Sequence, residues 1–94
     1  MRVYVAGRMR GLPDLNRNAF ASAANRLRQQ GYDVYNPAAA NLDSMPLNRI
    51  MSHVLVQLCD CDAIAMLPGW WTKFGGAWVE WLLARYLKLK IIYL

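Results

Sequence analysis

Residues 63–69 read Ala-Ile-Ala-Met-Leu-Pro-Gly, a run of five apolar residues that ends at a Pro-Gly pair. Such an unbroken apolar run predicts a strand that is covered on both faces, because a strand with one solvated face alternates apolar and polar residues. Strands covered on both faces are typical of a parallel sheet flanked by helices. The stretch therefore predicts an α/β fold.

Strands and helices alternate outward from this stretch. Further strands are predicted over residues 3–6, 33–35 and 90–94, and helices over residues 16–30 and from about 76 to 87. A helix between them is predicted by apolar residues at spacings of three and four, namely Leu47, Ile50, Met51, Val54, Leu55 and Leu58. The order βαβαβαβ predicts a parallel four-stranded sheet wound by right-handed crossovers, in one domain that spans residues 1–94.

Local signals mark where these elements begin and end. Asn16 is expected to cap the first helix, and Gly31 to end it by accepting a positive φ. Residues 38–45 are expected to form a loop. Ligands of parallel sheets bind beyond the carboxyl ends of the strands, so we expect the site at the loops that begin at Gly7, Asn36 and Pro68.

Composition indicates possible partners. The chain has 94 residues, is 56% hydrophobic and contains four Trp and five Tyr, so self-association into a dimer or larger homo-oligomer is expected. Its formal net charge is +5. For Arg8 and Arg10, solubility and an anionic partner such as phosphate are equally good explanations, whereas the basic residues near the C-terminus are attributed to solubility.

Several functional classes receive no support from the sequence. Cys59 and Cys61 match neither a CxxC redox motif nor a zinc site, and we interpret them as buried free thiols of a cytoplasmic protein. The single histidine, His53, is expected to be solvent-exposed. No metal site, cofactor fingerprint, signal peptide or apolar run of transmembrane length is found, so neither a cofactor nor a membrane partner is expected.

Glu80 is the first candidate for chemistry. It lies about one turn into the last long helix, where its neighbours at helical spacing are nearly all apolar. A carboxylate on an apolar face is costly unless it is paired or functional, and its pKa would be raised there. The alternative is a Glu at the edge of the stripe that reaches water or pairs with Arg85. Gly76, in a Gly-Gly-Ala run, would let a ligand approach the start of this helix.

Two loops at the predicted sheet edge could contact a ligand. The loop Gly7-Arg8-Met9-Arg10-Gly11 follows a strand and precedes a helix, and its two arginines could grip a phosphate, although it matches no standard phosphate-binding fingerprint. Trp70 or Trp71 could stack a nucleobase. The alternative for at least one of these tryptophans is a core or subunit-interface position.

Four blocks of the sequence carry a family resemblance: residues 3–20, residues 31–37, residues 61–70 and residues 76–80. They resemble, in family order, a small, uncharacterised bacterial and phage branch of the nucleoside 2-deoxyribosyltransferase-like superfamily. The resemblance implies a flavodoxin-like sheet and cleavage or transfer at the N-glycosidic bond of a deoxynucleoside or its 5′-monophosphate. It also implies sites completed by a neighbouring subunit.

The resemblance also assigns roles to individual residues. Glu80 matches the glutamate that attacks the anomeric carbon, and Tyr4 matches a tyrosine that positions the nucleophile or the sugar. Residues 7–11 match the loop that lines the sugar or 5′-phosphate pocket. The substrate-binding set predicted on this basis and from the strand-end loops is Gly7, Arg8, Met9, Arg10, Gly11, Pro37, Gly69, Trp70 and Gly76.

Two positions depart from the pattern of active relatives. Val54 stands where the resemblance implies an aspartate that handles the proton on the leaving base, and Phe74 stands where relatives carry Ser or Asp. The sequence favours an enzyme with Glu80 as nucleophile. The alternative is a protein of the same fold that binds a nucleotide or a nucleotide-derived signal without chemistry. Nucleic-acid binding is not expected, because the net positive charge is the only feature of the sequence that supports it.

Overall fold

The computed structural model describes residues 1–40 and 44–94. Four strands alternate with three helices in the order β1 (Arg2–Ala6), α1 (Arg17–Gln29), β2 (Asp33–Tyr35), α2 (Leu47–Cys59), β3 (Ala63–Met66), α3 (Gly76–Tyr86) and β4 (Lys90–Tyr93). Short 3-10 turns occupy Pro13–Asn16, Pro37–Ala40 and Trp70–Thr72. The predicted alternation of strands and helices is confirmed, with bounds that shift by one or two residues.

The four strands form one parallel sheet in the order β2-β1-β3-β4. Tyr4 of β1 pairs with Tyr35 of β2 on one side and with Ile64 of β3 on the other. This order is the flavodoxin-like one without its fifth strand, and the direction in which successive strands are added to the sheet reverses between β1 and β3. The predicted flavodoxin-like α/β fold is confirmed, and the reversal marks the crevice where ligands of such sheets bind.

The two faces of the sheet are covered by different helices. Val3 and Val5 of β1 face α1, whereas Tyr4 and Ala6 face α2 and α3, as the two-residue period of a strand requires. All four residues of β3 are buried, because helices cover that strand on both sides. Tyr4 is therefore the polar side chain that the central strand presents to the layer formed by α2 and α3.

Two helices end in the same hydrogen-bonded motif with different residues. After α1, Gly31 has a φ of +94° and the Tyr32 amide donates to the Leu27 carbonyl at 3.2 Å. After α3, Lys88 has a φ of 59° and the Leu89 amide donates to the Ala84 carbonyl at 3.0 Å. Both ends are Schellman motifs, whose left-handed position favours glycine. The expectation for Gly31 is confirmed, and Lys88 occupies the equivalent position at greater conformational cost.

The start of α1 differs from the prediction. Asn16 stands at the N-cap position, but its φ is 61° and its side chain makes no capping hydrogen bond. Its Nδ2 instead donates to the carbonyl of Arg8 at 3.0 Å. The amide side chain of Asn16 thus ties the loop after β1 to the helix that follows it.

The predictions for the loop after β2, for the two cysteines and for the histidine are partly confirmed and partly corrected. The predicted loop over residues 38–45 begins with the 3-10 turn Pro37–Ala40, and residues 41–43 lie outside the described part of the chain. Cys61 is buried, as expected, and burial raises its pKa to about 11, so its thiol stays protonated. Cys59 is exposed, which contradicts the expectation of two buried thiols. His53 is exposed, as predicted. Within the described residues, no helix is long and apolar enough to cross a membrane.

Candidate functional site

A cavity of about 360 Å³ lies at the carboxyl end of β1. Its walls are the loop after β1, the first turns of α2 and the segment that leads into α3. The lining residues are Tyr4, Gly7, Arg8, Met9, Arg10, Gly11, Phe20, Pro37, Leu47, Ile50, Met51, Val54, Lys73, Phe74, Gly75, Gly76, Ala77 and Glu80. Residues from five separate segments meet here because the carboxyl ends of parallel strands share one edge of the sheet.

Glu80 and Tyr4 meet in the wall of this cavity. Glu80 is only 6% exposed and is the one charged side chain in the buried core of the described residues. The hydroxyl of Tyr4, which is fully buried on β1, donates a hydrogen bond to Glu80 Oε2. The suggestion that Glu80 pairs with Arg85 is wrong, because the Arg85 guanidinium lies 4.9 Å from the ring centre of Trp81 instead.

The protonation states of this pair follow from their burial. Burial raises the pKa of Glu80 to about 7, although the hydrogen bond from Tyr4 acts to lower it. Burial and then the charge of Glu80 raise the pKa of Tyr4 well above its usual 10.0. Tyr4 therefore keeps its proton at neutral pH, and Glu80 titrates in the range where a catalytic carboxyl can be either ionised or protonated.

The ring of Tyr4 is held from its other side by Tyr35. The two rings stack with centroids 5.5 Å apart and an interplanar angle of 23°. Because the two residues pair in register on adjacent strands, this contact follows directly from the sheet. The stack restricts the Tyr4 ring and so fixes the direction of its hydrogen bond to Glu80.

The loop after β1 is anchored at several points. A Cβ at Gly7 would lie 2.7 Å from Leu67 Cδ1, so only glycine allows the loop to pass this close to the end of β3. The Arg8 guanidinium donates to Thr72 Oγ1 at 3.3 Å, which links the loop to the turn after β3. Gly11 has a φ of +82°, a left-handed conformation that glycine adopts without strain. The loop is therefore a fixed wall of the cavity.

Three cations line the cavity together with the single carboxylate. Arg8, Arg10 and Lys73 are lining residues, and Glu80 is the only acidic residue among the lining positions that the structure describes. The first turn of α3 adds the positive end of a helix dipole, and its N-cap, Gly75, supplies no side-chain cap. The electrostatic character of the cavity thus favours a ligand with a negative charge.

The rest of the cavity wall is mainly apolar. Val54 is 5% exposed and faces the cavity from α2, and Phe74, which is 74% exposed, lines it at the start of α3. Phe74 also stacks on Trp78, with ring centroids 6.4 Å apart. An apolar wall with a few polar groups is typical of small-molecule sites.

The chain was compared with protein-family models and with curated proteins. A family model described as "Domain of unknown function (DUF4406)" matches residues 1–93. The chain belongs to this family. No curated protein matches the chain. The family description names no activity.

Two predicted ligand contacts lie away from this cavity. Gly69 and Trp70 line a second, shallower depression at the carboxyl ends of β3 and β4. Trp70 is buried, and its ring centroid lies 4.9 Å from that of Trp78 and 5.2 Å from that of Trp81. Trp70 is therefore a core residue, as its alternative interpretation held, while Trp71 is 61% exposed.

The structure also adds residues that the sequence did not single out. Lys73 and Phe20 line the cavity, as do Leu47, Ile50 and Met51 from the start of α2. The first turns of α2 thus contribute part of its apolar stripe to the cavity wall. A cationic residue in the loop after β3 could have pointed to Lys73 as a cavity residue. Phe20 could not have been found in this way, because it has the sequence pattern of an ordinary core residue.

Proposed function

We propose that this chain cleaves or transfers at the N-glycosidic bond of a deoxynucleoside or its 5′-monophosphate, with Glu80 as the nucleophile. The observation that carries the proposal is the buried Tyr4–Glu80 hydrogen bond in the wall of a cavity of about 360 Å³. Structural carboxylates are seldom buried without a cation, because an uncompensated buried charge is costly. The sequence resemblance to the nucleoside 2-deoxyribosyltransferase-like superfamily gives independent support.

In the first step, an ionised oxygen of Glu80 attacks the anomeric carbon C1′ of the sugar. The C1′–N bond breaks, its electron pair leaves with the base, and the base takes a proton from solvent. The product is a glycosyl ester of Glu80. Tyr4 holds the carboxylate in one orientation and stabilises its ionised form, since its hydrogen bond acts to lower the pKa of Glu80.

In the second step, an acceptor attacks C1′ and releases the Glu80 carboxylate. Water as acceptor gives the free sugar and a proton, and the overall reaction is hydrolysis. The ring nitrogen of another base as acceptor gives a new nucleoside and releases the proton of that nitrogen to solvent, and the overall reaction is transfer. Two displacements at C1′ retain its configuration, as in retaining glycosidases.

Among the described lining residues, no carboxylic acid other than Glu80 is present to protonate the leaving base. Val54 occupies the α2 position where the resemblance implies an aspartate. General acids contribute about 10²–10⁴-fold to such reactions. We therefore propose a slow reaction that favours bases able to leave without prior protonation.

Arg8, Arg10 and Lys73 support an anionic group on the substrate. A 5′-phosphate is the anion that a nucleoside substrate would carry, and arginine side chains bind phosphate through paired hydrogen bonds. The proposed arrangement places the sugar near Glu80 and the phosphate toward the cations. We further propose that the chain acts in the cytoplasm as a homo-oligomer without a cofactor.

The alternative proposal is a protein that binds a nucleotide in this cavity without cleaving it. The apolar side chains of Val54 and Phe74 favour it, because they replace groups that would help the chemistry. In this alternative the cations still meet the phosphate, and Glu80 accepts a hydrogen bond from the sugar or the base.

The two proposals are separated by one assay. The protein would be incubated with a panel of deoxynucleosides and their 5′-monophosphates, and free base would be followed by chromatography. The active-site variant is Glu80→Gln, and the matched control is Asp60→Asn, an exposed acid at the end of α2. Base release that is lost in Glu80→Gln and kept in Asp60→Asn supports the enzyme. Thermal stabilisation by a nucleotide without base release from any substrate supports the binding protein.

A further inference from the structure

Two large apolar side chains of the cavity wall are exposed rather than buried. Phe74, in the segment that leads into α3, is 74% exposed, and Leu47, the first residue of α2, is 57% exposed. Both line the cavity that also contains Tyr4 and Glu80. Single exposed apolar side chains are ordinary on protein surfaces, whereas two of them in one cavity form apolar surface that a ligand can cover.

These two side chains extend two walls that lie against each other. Met51, one turn after Leu47 on α2, has its Sδ 3.5 Å from the position of a Cβ on Gly76. Gly76 begins α3 and lies two residues after Phe74. The start of α2 and the start of α3 thus meet at Met51 and Gly76, and Leu47 and Phe74 continue the two apolar walls beside them. A space between two apolar walls suits a flat apolar group.

The ring of Phe74 is supported on one side. It stacks on Trp78 with ring centroids 6.4 Å apart and an interplanar angle of 27°. Trp78 is held in turn, because its Nε1 donates to the carbonyl of Trp71 at 3.3 Å and its ring lies 4.9 Å from that of the buried Trp70. One face of the Phe74 ring therefore rests on an anchored aromatic residue, and the other face is available for a further stack.

Phe74 is distinguished from the other exposed aromatic residues by its position. Trp71, Tyr86 and Tyr93 are also exposed, but the cavity lining described above includes none of them. The sequence predicted that Trp70 or Trp71 would stack a nucleobase, and both line the second depression instead. Among the exposed aromatic side chains of the described residues, Phe74 is thus the one that can meet a ligand beside Glu80.

We propose that Phe74 is the stacking platform for the nucleobase of the ligand, with Leu47 contacting the base from α2. This inference rests on the proposed function and applies both to cleavage and to binding alone. Arg8 and Arg10 lie on a different wall, the loop after β1, so one ligand can place its phosphate near these cations and its base on Phe74. Stacking accepts every base because each has a π face, and we expect purines to bind more tightly because their rings are larger.

The test measures how much the base adds to the affinity of the ligand. Isothermal titration calorimetry would be carried out with the four 2′-deoxynucleoside 5′-monophosphates and with 2-deoxyribose 5-phosphate, which lacks a base. The protein would carry Glu80→Gln, so that no glycosyl ester forms, and Phe74 would be kept or changed. Phe74→Leu should weaken nucleotide binding by roughly fivefold to a hundredfold, the usual effect of losing a base–aromatic stack. It should leave the affinity for the sugar phosphate unchanged.

Two further variants control for the ring itself. Phe74→Trp keeps an aromatic platform and should bind the nucleotides at least as tightly as Phe74 does. Tyr86→Leu removes an exposed ring from the other end of α3, outside the cavity lining, and should change neither affinity. Because Phe74 and Tyr86 are both exposed, thermal unfolding of these variants should stay close to that of the parent protein.

The possible failures point to different causes. An unchanged nucleotide affinity in Phe74→Leu would overturn the stacking role and leave the proposed function standing. Equal weakening of the nucleotides and of the sugar phosphate would also overturn it, since the ring would then act only on the shape of the cavity. If the protein with Phe74 intact bound none of the five compounds, the inference and the proposed function would fail together.

Discussion

The Tyr4 hydroxyl on the central strand donates a hydrogen bond to the Glu80 carboxylate on α3, across 76 positions of the sequence. Both side chains are buried, and no charged partner accompanies them in the core of the described residues. The pair links the middle of the sheet to the helix whose first turn lines the cavity. Its ionisation is therefore coupled both to the stability of the fold and to any chemistry in the cavity.

We expect the stability of the protein to fall as the pH rises through the titration of Glu80. Its pKa goes from the ordinary 4.5 to about 7 on folding, so the folded state binds the proton more tightly than the unfolded state. Below pH 4.5 Glu80 is protonated in both the folded and the unfolded state, so it contributes no pH-dependent loss of stability. The loss in the free energy of unfolding grows to about 3 kcal/mol as the pH rises to about 7. Urea unfolding at pH 5 and pH 8 measures this loss. Glu80→Gln should remove most of the difference, and an equal pH dependence in wild type and variant would contradict the assignment.

Tyr4→Phe should shift the pH dependence of base release upward. The hydrogen bond from Tyr4 acts to lower the pKa of Glu80, so its removal raises that pKa further, and the nucleophilic carboxylate then forms only at higher pH. The wild-type kcat/KM should reach half its maximum near pH 7, and the variant should reach it above that value. Tyr32→Phe, on the opposite face of the sheet, is the control. A lower rate with an unchanged midpoint would show that Tyr4 does not act through the ionisation of Glu80.

Removing the cavity cations should affect phosphorylated substrates selectively. Arg10→Ala and Lys73→Ala should each raise the KM for a deoxynucleoside 5′-monophosphate by about tenfold or more, because a hydrogen bond to a charged group is worth about 1.5–3 kcal/mol. The KM for the corresponding deoxynucleoside should change little. Arg26→Ala, on the exposed side of α1, controls for the loss of one positive charge. Equal effects on both substrates would place the phosphate elsewhere.

Gly7→Ala should destabilise the fold by about 1–3 kcal/mol, because the new methyl group overlaps Leu67 at the end of β3. The contacts of 2.7 Å to Cδ1 and 2.8 Å to Cβ of Leu67 cannot both be relieved by a rotamer change. Gly75→Ala is the matched control, since nothing lies within 4 Å of its added Cβ and its backbone is extended. Thermal unfolding of both variants measures the difference. A Gly7→Ala protein as stable as Gly75→Ala would mean that the loop can move away from β3.

Lys88→Gly should stabilise the protein by about 0.5–1 kcal/mol. Lys88 has a φ of 59° in the Schellman motif that ends α3, and glycine adopts this conformation without the steric cost of a Cβ. Lys88→Ala keeps that cost and removes the same charge, so it should show no such gain. The comparison is made by urea unfolding, and equal stabilities of the two variants would mean that the backbone at this position is unstrained.

Much of the fold could be predicted because its signals are local. The uniformly apolar stretch at 63–67 indicated a strand covered on both faces, and Gly31 indicated a helix end with a positive φ. Lys88 forms the same helix end but could not be predicted, because lysine carries no preference for that conformation. The Asn16 side chain binds the Arg8 carbonyl instead of capping its helix, and that choice depends on a loop eight residues away.

The candidate site was predictable only in outline. Strand-end loops pointed to Gly7 and its neighbours, and an acid on an apolar helix face pointed to Glu80. Trp70 was placed among ligand contacts, yet it is a core residue, since an aromatic residue after a strand fits either environment. Lys73 was not singled out, although it lines the cavity beside Arg8 and Arg10.

The sequence by itself determined the alternation of strands and helices and the parallel sheet, since apolar periodicity and turn residues act over a few neighbouring positions. Only the tertiary structure decided that Tyr4 meets Glu80, that the start of α2 lines the cavity, and that the exposed ring of Phe74 lines it as well. These features depend on which elements become neighbours across the sheet. A side chain's burial and its partners, and hence its pKa, are properties of that packing and not of its place in the chain.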